Sequence, residues 1–272
     1  MAGVYVGIGG WNYPPWRGAF YPAGLPQAQE LAYASRHVTS IEINSTFYGS
    51  QKPTSFRKWR DETPDEFVFS VKGPRYATHR ANLAEAADSI ERFFNSGVLE
   101  LGNKLGPILW QFPPTRRFDP DAMRPFLEAL PPSHDGRALR HVIEARHPSF
   151  ADPAWMDLLR TFAVAHAIVE SDKHVLQADV TAPFVYARLE RNSVDEPEGY
   201  ASRALDHWAS RVRKWTHGRE VTDLPQAGLA PAGAGARECF IYFISGDKVR
   251  APASATAFLG RLAGSRATVA HA

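Results

Sequence analysis

The chain has 272 residues, of which 44% are hydrophobic and 22% charged, and its formal net charge is +2. This composition is typical of a globular protein. The small net charge, without a run of five Lys or Arg, argues against a dedicated nucleic-acid binder. The single cysteine, Cys239, excludes an intramolecular disulfide. The chain also lacks an apolar stretch of about 20 residues and a basic signal-peptide segment, so we expect a cytoplasmic location and no membrane contact.

Short runs rich in Val, Ile, Phe and Tyr recur along the chain and predict eight β-strands. The predicted strands are residues 4–9, 40–44, 67–72, 107–112, 141–146, 166–171, 184–189 and 239–244. Segments with helical spacing of apolar residues lie between and after them. The predicted helices are residues 26–36, 55–61, 82–94, 120–130, 153–162, 203–215 and 254–262.

Eight strands alternating with helices favour an α/β fold of the (β/α)8 TIM type. We expect a single domain over residues 1–264, with a loose C-terminal tail over 265–272 and a flexible Ala/Gly/Pro-rich loop over 223–238. An open, doubly wound sheet is the alternative. No G-x-G-x-x-G motif follows the first strand, which disfavours a dinucleotide site in that alternative.

Polar side chains alternate with apolar ones at the C-terminal ends of several predicted strands. Residues two apart in a strand share a face, and the C-terminal ends of the strands carry the active site in (β/α)8 enzymes. These polar faces therefore predict a pocket at the mouth of the barrel. Its predicted members are Glu42, Asn44, Lys72, Gln111, Glu144, Arg146 and Arg188, with Glu170, Asp172 and Tyr186 on neighbouring strand faces.

The residue types in this set limit the chemistry. Glu42 or Glu144 is suited to general acid or base catalysis, and three cations against two carboxylates suggest an anionic or polyol-like ligand. Lys72 is a candidate for Schiff-base chemistry if its pKa is lowered; paired with Glu42 it would stay charged and only bind. A buried structural network of salt bridges is the alternative interpretation.

The remaining candidates have binding roles. Asn44, Gln111 and Tyr48 would orient the ligand, Trp11 would stack on a ring or sugar face, and Arg146 and Arg188 would hold negative charge. His79 completes the predicted ligand-binding set. No H-x-x-x-H or C-x-x-C pair is present, so we predict no metal site. The cofactor and the oligomeric state are left open.

Several motifs together resemble one family, the YecE-like domain of unknown function. They are GIGGWNYPPWRGAFYP at 7–22, the box IEINSTFYGS at 41–50 with its continuation to residue 79, LGPILWQFPP at 105–114 and VIEARHPSF at 142–150. The resemblance implies a TIM-type barrel, in agreement with the strand count. It implies no reaction, because the family has no established activity known to us.

The C-terminal third departs from the family pattern at two places. Glu190 and Arg191 stand where the family has His-Gly, and Ile244 and Ser245 stand where it has two asparagines. Two polar contributions to the pocket are therefore missing. We expect either a different ligand or a loss of activity.

Three functional hypotheses follow. The first is a cytoplasmic isomerase, lyase or hydrolase acting on a small polar, anionic or sugar-like metabolite by carboxylate acid–base chemistry. The second is a non-catalytic binding or sensor protein that uses the same pocket. The third is a metal-dependent nucleic-acid repair activity, although the charge balance makes nucleic acid an unexpected partner.

Overall fold

Eight parallel strands close into a barrel in the computed structural model, which describes residues 3–228 and 235–269. Around the barrel each strand pairs with its neighbours in chain order, and the last pairs with the first. The prediction of a TIM-type barrel is confirmed. The strands are β1 (Val4–Gly9), β2 (Ser40–Ile43), β3 (Val68–Lys72), β4 (Leu105–Gln111), β5 (His141–Glu144), β6 (Ala165–Glu170), β7 (Phe184–Leu189) and β8 (Glu238–Phe243).

Helices follow the strands on the outside. They are α1 (Glu30–Ala34), α2 (Ser45–Tyr48), α3 (Pro53–Asp61), α4 (Arg75–Thr78), α5 (Ala87–Asn95), α6 (Pro120–Glu128), α7 (Pro153–Thr161), α8 (Ser202–Thr216) and α9 (Ala251–Val269). Short 3-10 turns occupy Pro14–Trp16, Gln27–Gln29, Leu83–Ala86, Val98–Lys104, Pro148–Phe150 and Lys248–Arg250. Within the described residues, no helix combines the length and the apolar character that a membrane span requires.

Local sequence fixes where several helices begin. Proline opens α3, α6 and α7, and its fixed φ suits the first helical position. The carboxylates of Asp119 and Asp152 accept hydrogen bonds from backbone N–H groups in the first turns of α6 and α7, as N-cap residues do. These signals explain why the predicted starts of the helices at residues 120 and 153 agree with the structure.

The core has two parts separated by the barrel wall. An outer part joins the helices to the outward faces of the strands and contains Trp110, Trp155 and Trp208, all fully buried. An inner part fills the barrel and contains Val68, Phe184 and Phe240 among other residues. Strands buried on both sides explain the nearly continuous apolar runs that predicted them.

The two short helices α2 and α4 were not predicted. Each has four residues and follows directly after β2 or β3, where the sequence shows no helical repeat. The segments that follow β2 and β3 at the rim of the barrel therefore contain regular helical structure that the sequence did not predict. A two-residue antiparallel pair, Ser133–His134 with Arg137–Ala138, was also not predicted.

The predicted loop 223–238 and the predicted tail 265–272 lie partly within the described residues. Helix α9 continues to Val269, five residues into the segment predicted as a tail, and residues 270–272 lie outside the described residues. In the predicted loop 223–238, residues 229–234 lie outside them as well. The division into one domain over 1–264 stays a prediction.

Candidate functional site

The interior of the barrel is arranged in layers, from apolar to charged. In the middle layer, the hydroxyls of Ser40 and Tyr242 lie 2.7 Å apart, and those of Ser70 and Tyr186 lie 2.8 Å apart. Gly7 leaves space for the first pair, because a Cβ there would lie 2.1 Å from the Ser40 carbonyl oxygen and 3.2 Å from the Tyr242 ring. Above these hydroxyls, at the C-terminal ends of the strands, lies a charged layer.

Arg188, on β7, is the centre of this charged layer and is only 3% exposed. Its Nε and one terminal nitrogen donate to the two carboxylate oxygens of Glu42 at 3.1 and 3.2 Å. Its other terminal nitrogen donates to Glu144 and, at 3.0 Å, to Glu190. Burial opposes the charge of Arg188, but Glu144 and Glu42 raise its pKa well above the ordinary value. One guanidinium thus joins carboxylates from β2, β5 and the end of β7.

Glu144 is fully buried and holds several donors. Besides Arg188, it accepts hydrogen bonds from Nε of Arg146 and, at 2.7 Å, from the side-chain amide of Gln111. Burial alone would raise the pKa of Glu144, but Arg188, Arg146 and Lys72 lower it to about 2. A carboxylate with this pKa is ionised at neutral pH and is a weak proton acceptor.

Lys72, at the end of β3, has a different environment. Its Nζ donates to the Gln111 side-chain oxygen at 2.8 Å and lies 4.0 Å from the centre of the Phe47 ring. Among the described residues, no carboxylate lies within ion-pair distance of this ammonium, so the alternative in which Lys72 pairs with Glu42 is not seen. Burial, followed by repulsion from Arg188, lowers the pKa of Lys72 to about 8.

Two members of the network were not in the predicted pocket. Tyr186 shares the strand face of Arg188, and its hydroxyl donates to Glu42 at 2.6 Å. Glu190, one of the departures from the family pattern, has a side chain that is only 8% exposed, and burial raises its pKa. Glu190 follows Arg188 by two residues, and residues two apart in a strand share a face. This spacing could have predicted that Glu190 lies beside Arg188. With it, the network has three carboxylates and three cations.

Other predicted residues lie apart from the network. Asn44 is half-buried and donates to the backbone oxygen of Glu42 at 3.2 Å. Trp11 packs edge-on against Trp59 of α3, in the outer core. Tyr48 is 73% exposed at the end of α2.

His79 lies on the rim beside Lys72. Its ring packs edge-on against Phe47 at 5.4 Å between centres, so Lys72 and His79 contact the same phenyl ring. Its Nδ1 lies 3.0 Å from the Thr78 hydroxyl. Burial lowers the pKa of His79, and Lys72 and Arg75 lower it further.

The expectation for β6 was wrong. Glu170 accepts a hydrogen bond at 3.0 Å from the indole of Trp208 on α8, so it faces the helices, while its neighbour Val169 faces the interior. Asp172 pairs with Arg191 at 2.8 Å on the surface. The sequence predicts that Glu170 faces the interior, because the other face of the strand meets apolar helices. The alternation of side chains is in fact shifted by one residue from this prediction, and Glu170 faces the helical layer.

A metal centre would need several ligands in one place. Among the residues that the structure describes, no group of three or more His, Cys, Asp or Glu side chains is arranged to hold a metal ion. The carboxylates of Glu42, Glu144 and Glu190 instead accept hydrogen bonds from side chains of the network.

Comparisons with known proteins agree with this architecture. The family model described as "Protein of unknown function DUF72" matches residues 5–272. The chain is 31% identical over 150 residues to the UPF0759 protein YecE of Escherichia coli K12, covering 54% of this chain and 50% of YecE. It is 31% identical over 116 residues to the UPF0759 protein YunF of Bacillus subtilis 168, covering 41% of this chain and 40% of YunF.

A solved structure shows the same fold over nearly the whole chain. It is a DUF72 family protein from Thermotoga maritima, with a TM-score of 0.74 and 22% identity, over 96% of this chain and 99% of that protein. The curated relatives are matched over half of their length or less. The resemblance to YecE-like proteins is confirmed.

Proposed function

Because this chain belongs to the DUF72 family of proteins of unknown function, we propose its activity from the mouth of its own barrel: it is an enzyme for a small anionic or sugar-like carbonyl compound, with Lys72 as the reacting amine. The observation that carries the proposal is the environment of Lys72. Its amine is buried, donates to an amide oxygen, and has a pKa lowered to about 8. A lysine of this kind supplies neutral amine near physiological pH.

The neighbouring groups suit carbonyl chemistry. Neutral Nζ of Lys72 would attack a carbonyl carbon, and loss of the carbonyl oxygen as water would leave a protonated imine. Glu190, whose pKa is raised by burial, is the carboxyl of the network best suited to supply the proton that this oxygen needs. The imine then serves as an electron sink for a lyase or isomerase step.

Glu42 and Glu144 receive a supporting role in this proposal. Each accepts at least three hydrogen bonds from side chains of the network. Both oxygens of each carboxylate are already occupied by donors, and the lowered pKa of Glu144, about 2, makes that carboxylate a weak proton acceptor. We therefore assign them to holding Arg188 and Gln111 in place, rather than to the acid–base step predicted from sequence.

Reductive trapping tests the proposal. The protein is incubated with a panel of small oxo acids and keto sugars in the presence of borohydride, and its peptides are analysed by mass spectrometry. We expect one adduct of reduced imine on the peptide that contains Lys72, and none in Lys72→Met. Trapping at several exposed lysines with equal yield, or no adduct with any compound of the panel, would contradict the proposal.

A binding or sensor protein is the second candidate, and the departures at Ile244 and Ser245, where the two asparagines of the family pattern are missing, favour it. In that case Lys72 would contact a ligand without forming a bond to it. A thermal-shift screen separates the two: a ligand that raises the melting temperature of wild type, and raises that of Lys72→Met less, without any trapped adduct, indicates a sensor.

A further inference from the structure

Three neighbouring segments at the mouth are rich in positive charge, and the acidic residues that follow them lie in the next turn (Glu85) or cap the next helix (Asp119 and Asp152). They follow β3, β4 and β5 and consist of residues 73–84, 112–118 and 145–151. Together they contain five arginines, two histidines and no Asp or Glu. Because β3, β4 and β5 are adjacent in the barrel, this is one continuous side of the mouth.

His79 lies close to two cations: its backbone N–H donates to the backbone oxygen of Arg75 at 2.7 Å, and its ring shares the phenyl ring of Phe47 with Lys72. Besides burial, the groups that lower the pKa of His79 are Lys72, Arg75, Arg146 and Arg116, in that order, and each of them is a cation. Arg116 is held in place by donating to the backbone oxygens of Arg80 and Ala81. These cations repel one another and the protonated form of His79, and a bound anion would reduce this repulsion.

The donors needed by an anion are available. Arg146 uses only its Nε, to Glu144, and within the described part of the chain neither of its terminal nitrogens meets an acceptor. Arg75 is exposed and, over the same residues, has no acidic partner within ion-pair distance. The Nε2 atom of His79 is likewise unbonded in the described structure, because its ring is held through Nδ1.

We infer that this side of the mouth is a subsite for a phosphoryl group of the substrate, held by Arg75, His79 and Arg146. A phosphate monoester carries nearly two negative charges and three terminal oxygens, so it can meet three separate donors, whereas a carboxylate offers two oxygens. The inference rests on the proposed function, because it names the anionic end of the same substrate. Lys72 and His79 both contact the ring of Phe47, so the reacting carbonyl would be a short distance from the phosphoryl group.

The test is titration calorimetry of the intact protein with inorganic phosphate and with glycerol 3-phosphate. Arg75→Gln removes the exposed guanidinium, and His79→Phe removes the ring nitrogens while keeping a ring against Phe47. We expect each variant to weaken both ligands, Arg75→Gln by about tenfold or more, as loss of a hydrogen bond to a charged group does. Arg117→Gln is the matched control, since Arg117 is exposed in the same loops and is not among the groups acting on His79. Its affinity should be that of wild type.

Three results would overturn the inference: no phosphate binding by wild type, an equal loss in Arg75→Gln and Arg117→Gln, or binding of a single-stranded oligonucleotide without binding of glycerol 3-phosphate. The last result would indicate a phosphodiester polymer instead. Failure here is distinct from failure of the proposed function. Lys72 can titrate near pH 8 in a protein that binds no phosphate, and phosphate can bind to a protein whose Lys72 titrates normally.

Discussion

Tyr186 donates a 2.6 Å hydrogen bond to Oε2 of Glu42, from β7 to β2 across the interior of the barrel. Tyr242, on β8, is equally buried, but its hydroxyl meets the hydroxyl of Ser40. The two tyrosines pack against each other with ring centres 5.1 Å apart. They therefore form a matched pair: the hydroxyl of Tyr186 donates to a carboxylate, whereas that of Tyr242 bonds to a neutral hydroxyl.

This pair predicts unequal costs of removing a hydroxyl. Tyr186→Phe should lower the free energy of unfolding by about 1.5–3 kcal/mol, the range for a hydrogen bond to a charged group. Tyr242→Phe should cost about 1 kcal/mol, as for a neutral bond. Urea denaturation of the two variants measures the difference. Equal losses would show that Glu42 does not depend on its tyrosine donor.

Arg188 is predicted to be essential for stability. Arg188→Met leaves Glu42 and Glu144 buried with too little positive charge, and the loss should be about 3–5 kcal/mol. Arg191→Met is the control, because Arg191 and Asp172 form an exposed pair worth about 0–1 kcal/mol. Adding Glu42→Gln to Arg188→Met should restore part of the stability. A double variant as unstable as the sum of its single changes would contradict this account.

Acid should unfold the protein partly through Glu144. Its folded pKa, about 2, lies below the ordinary value of 4.5, so the unfolded chain binds more protons between these pH values. The stability that Glu144 contributes is therefore present above pH 4.5 and is lost as the pH falls towards 2. Unfolding free energies over this range should fall less steeply for Glu144→Gln than for wild type. Parallel curves would indicate an ordinary carboxyl.

Gln111 should tune the amine of Lys72. Gln111→Glu places a carboxylate 2.8 Å from Nζ, at the position of the amide oxygen, and should raise the pKa of Lys72. Gln111→Leu removes the acceptor and should lower that pKa further. The pH dependence of lysine modification, followed at the Lys72 peptide, measures both shifts. Shifts in the same direction would show that Gln111 acts only through packing.

Much of this site could be predicted from the alternation of side chains along the strands. Glu42, Glu144 and Arg188 lie on the inward face, as expected, because parallel barrel strands leave a polar group few other places. The predicted inward orientation was wrong at Glu170, where an indole on α8 donates to one oxygen of the carboxylate in the outer layer. A local pattern contains no information on such a partner 38 residues away.

The charge balance of the pocket is the second feature that the sequence alone predicted incorrectly. Three cations against two carboxylates suggested an anion in the centre, but Glu190 adds a third carboxylate to the network. The unbalanced positive charge lies instead on the rim, around His79. Only the three-dimensional arrangement shows that the loops carrying Arg75, Arg116 and Arg146 are neighbours, since they follow three different strands that pair side by side in the barrel.

The account depends most on the state of Lys72, and its titration in the intact protein is the most direct test. The rate of amine acylation at Lys72, or the NMR shift of its Nζ, is followed from pH 6 to pH 11. The environment of Lys72 predicts an inflection near pH 8. An inflection at or above 10.5, the ordinary value for lysine, would show that the amine stays charged at neutral pH and would contradict its assignment as the reacting group.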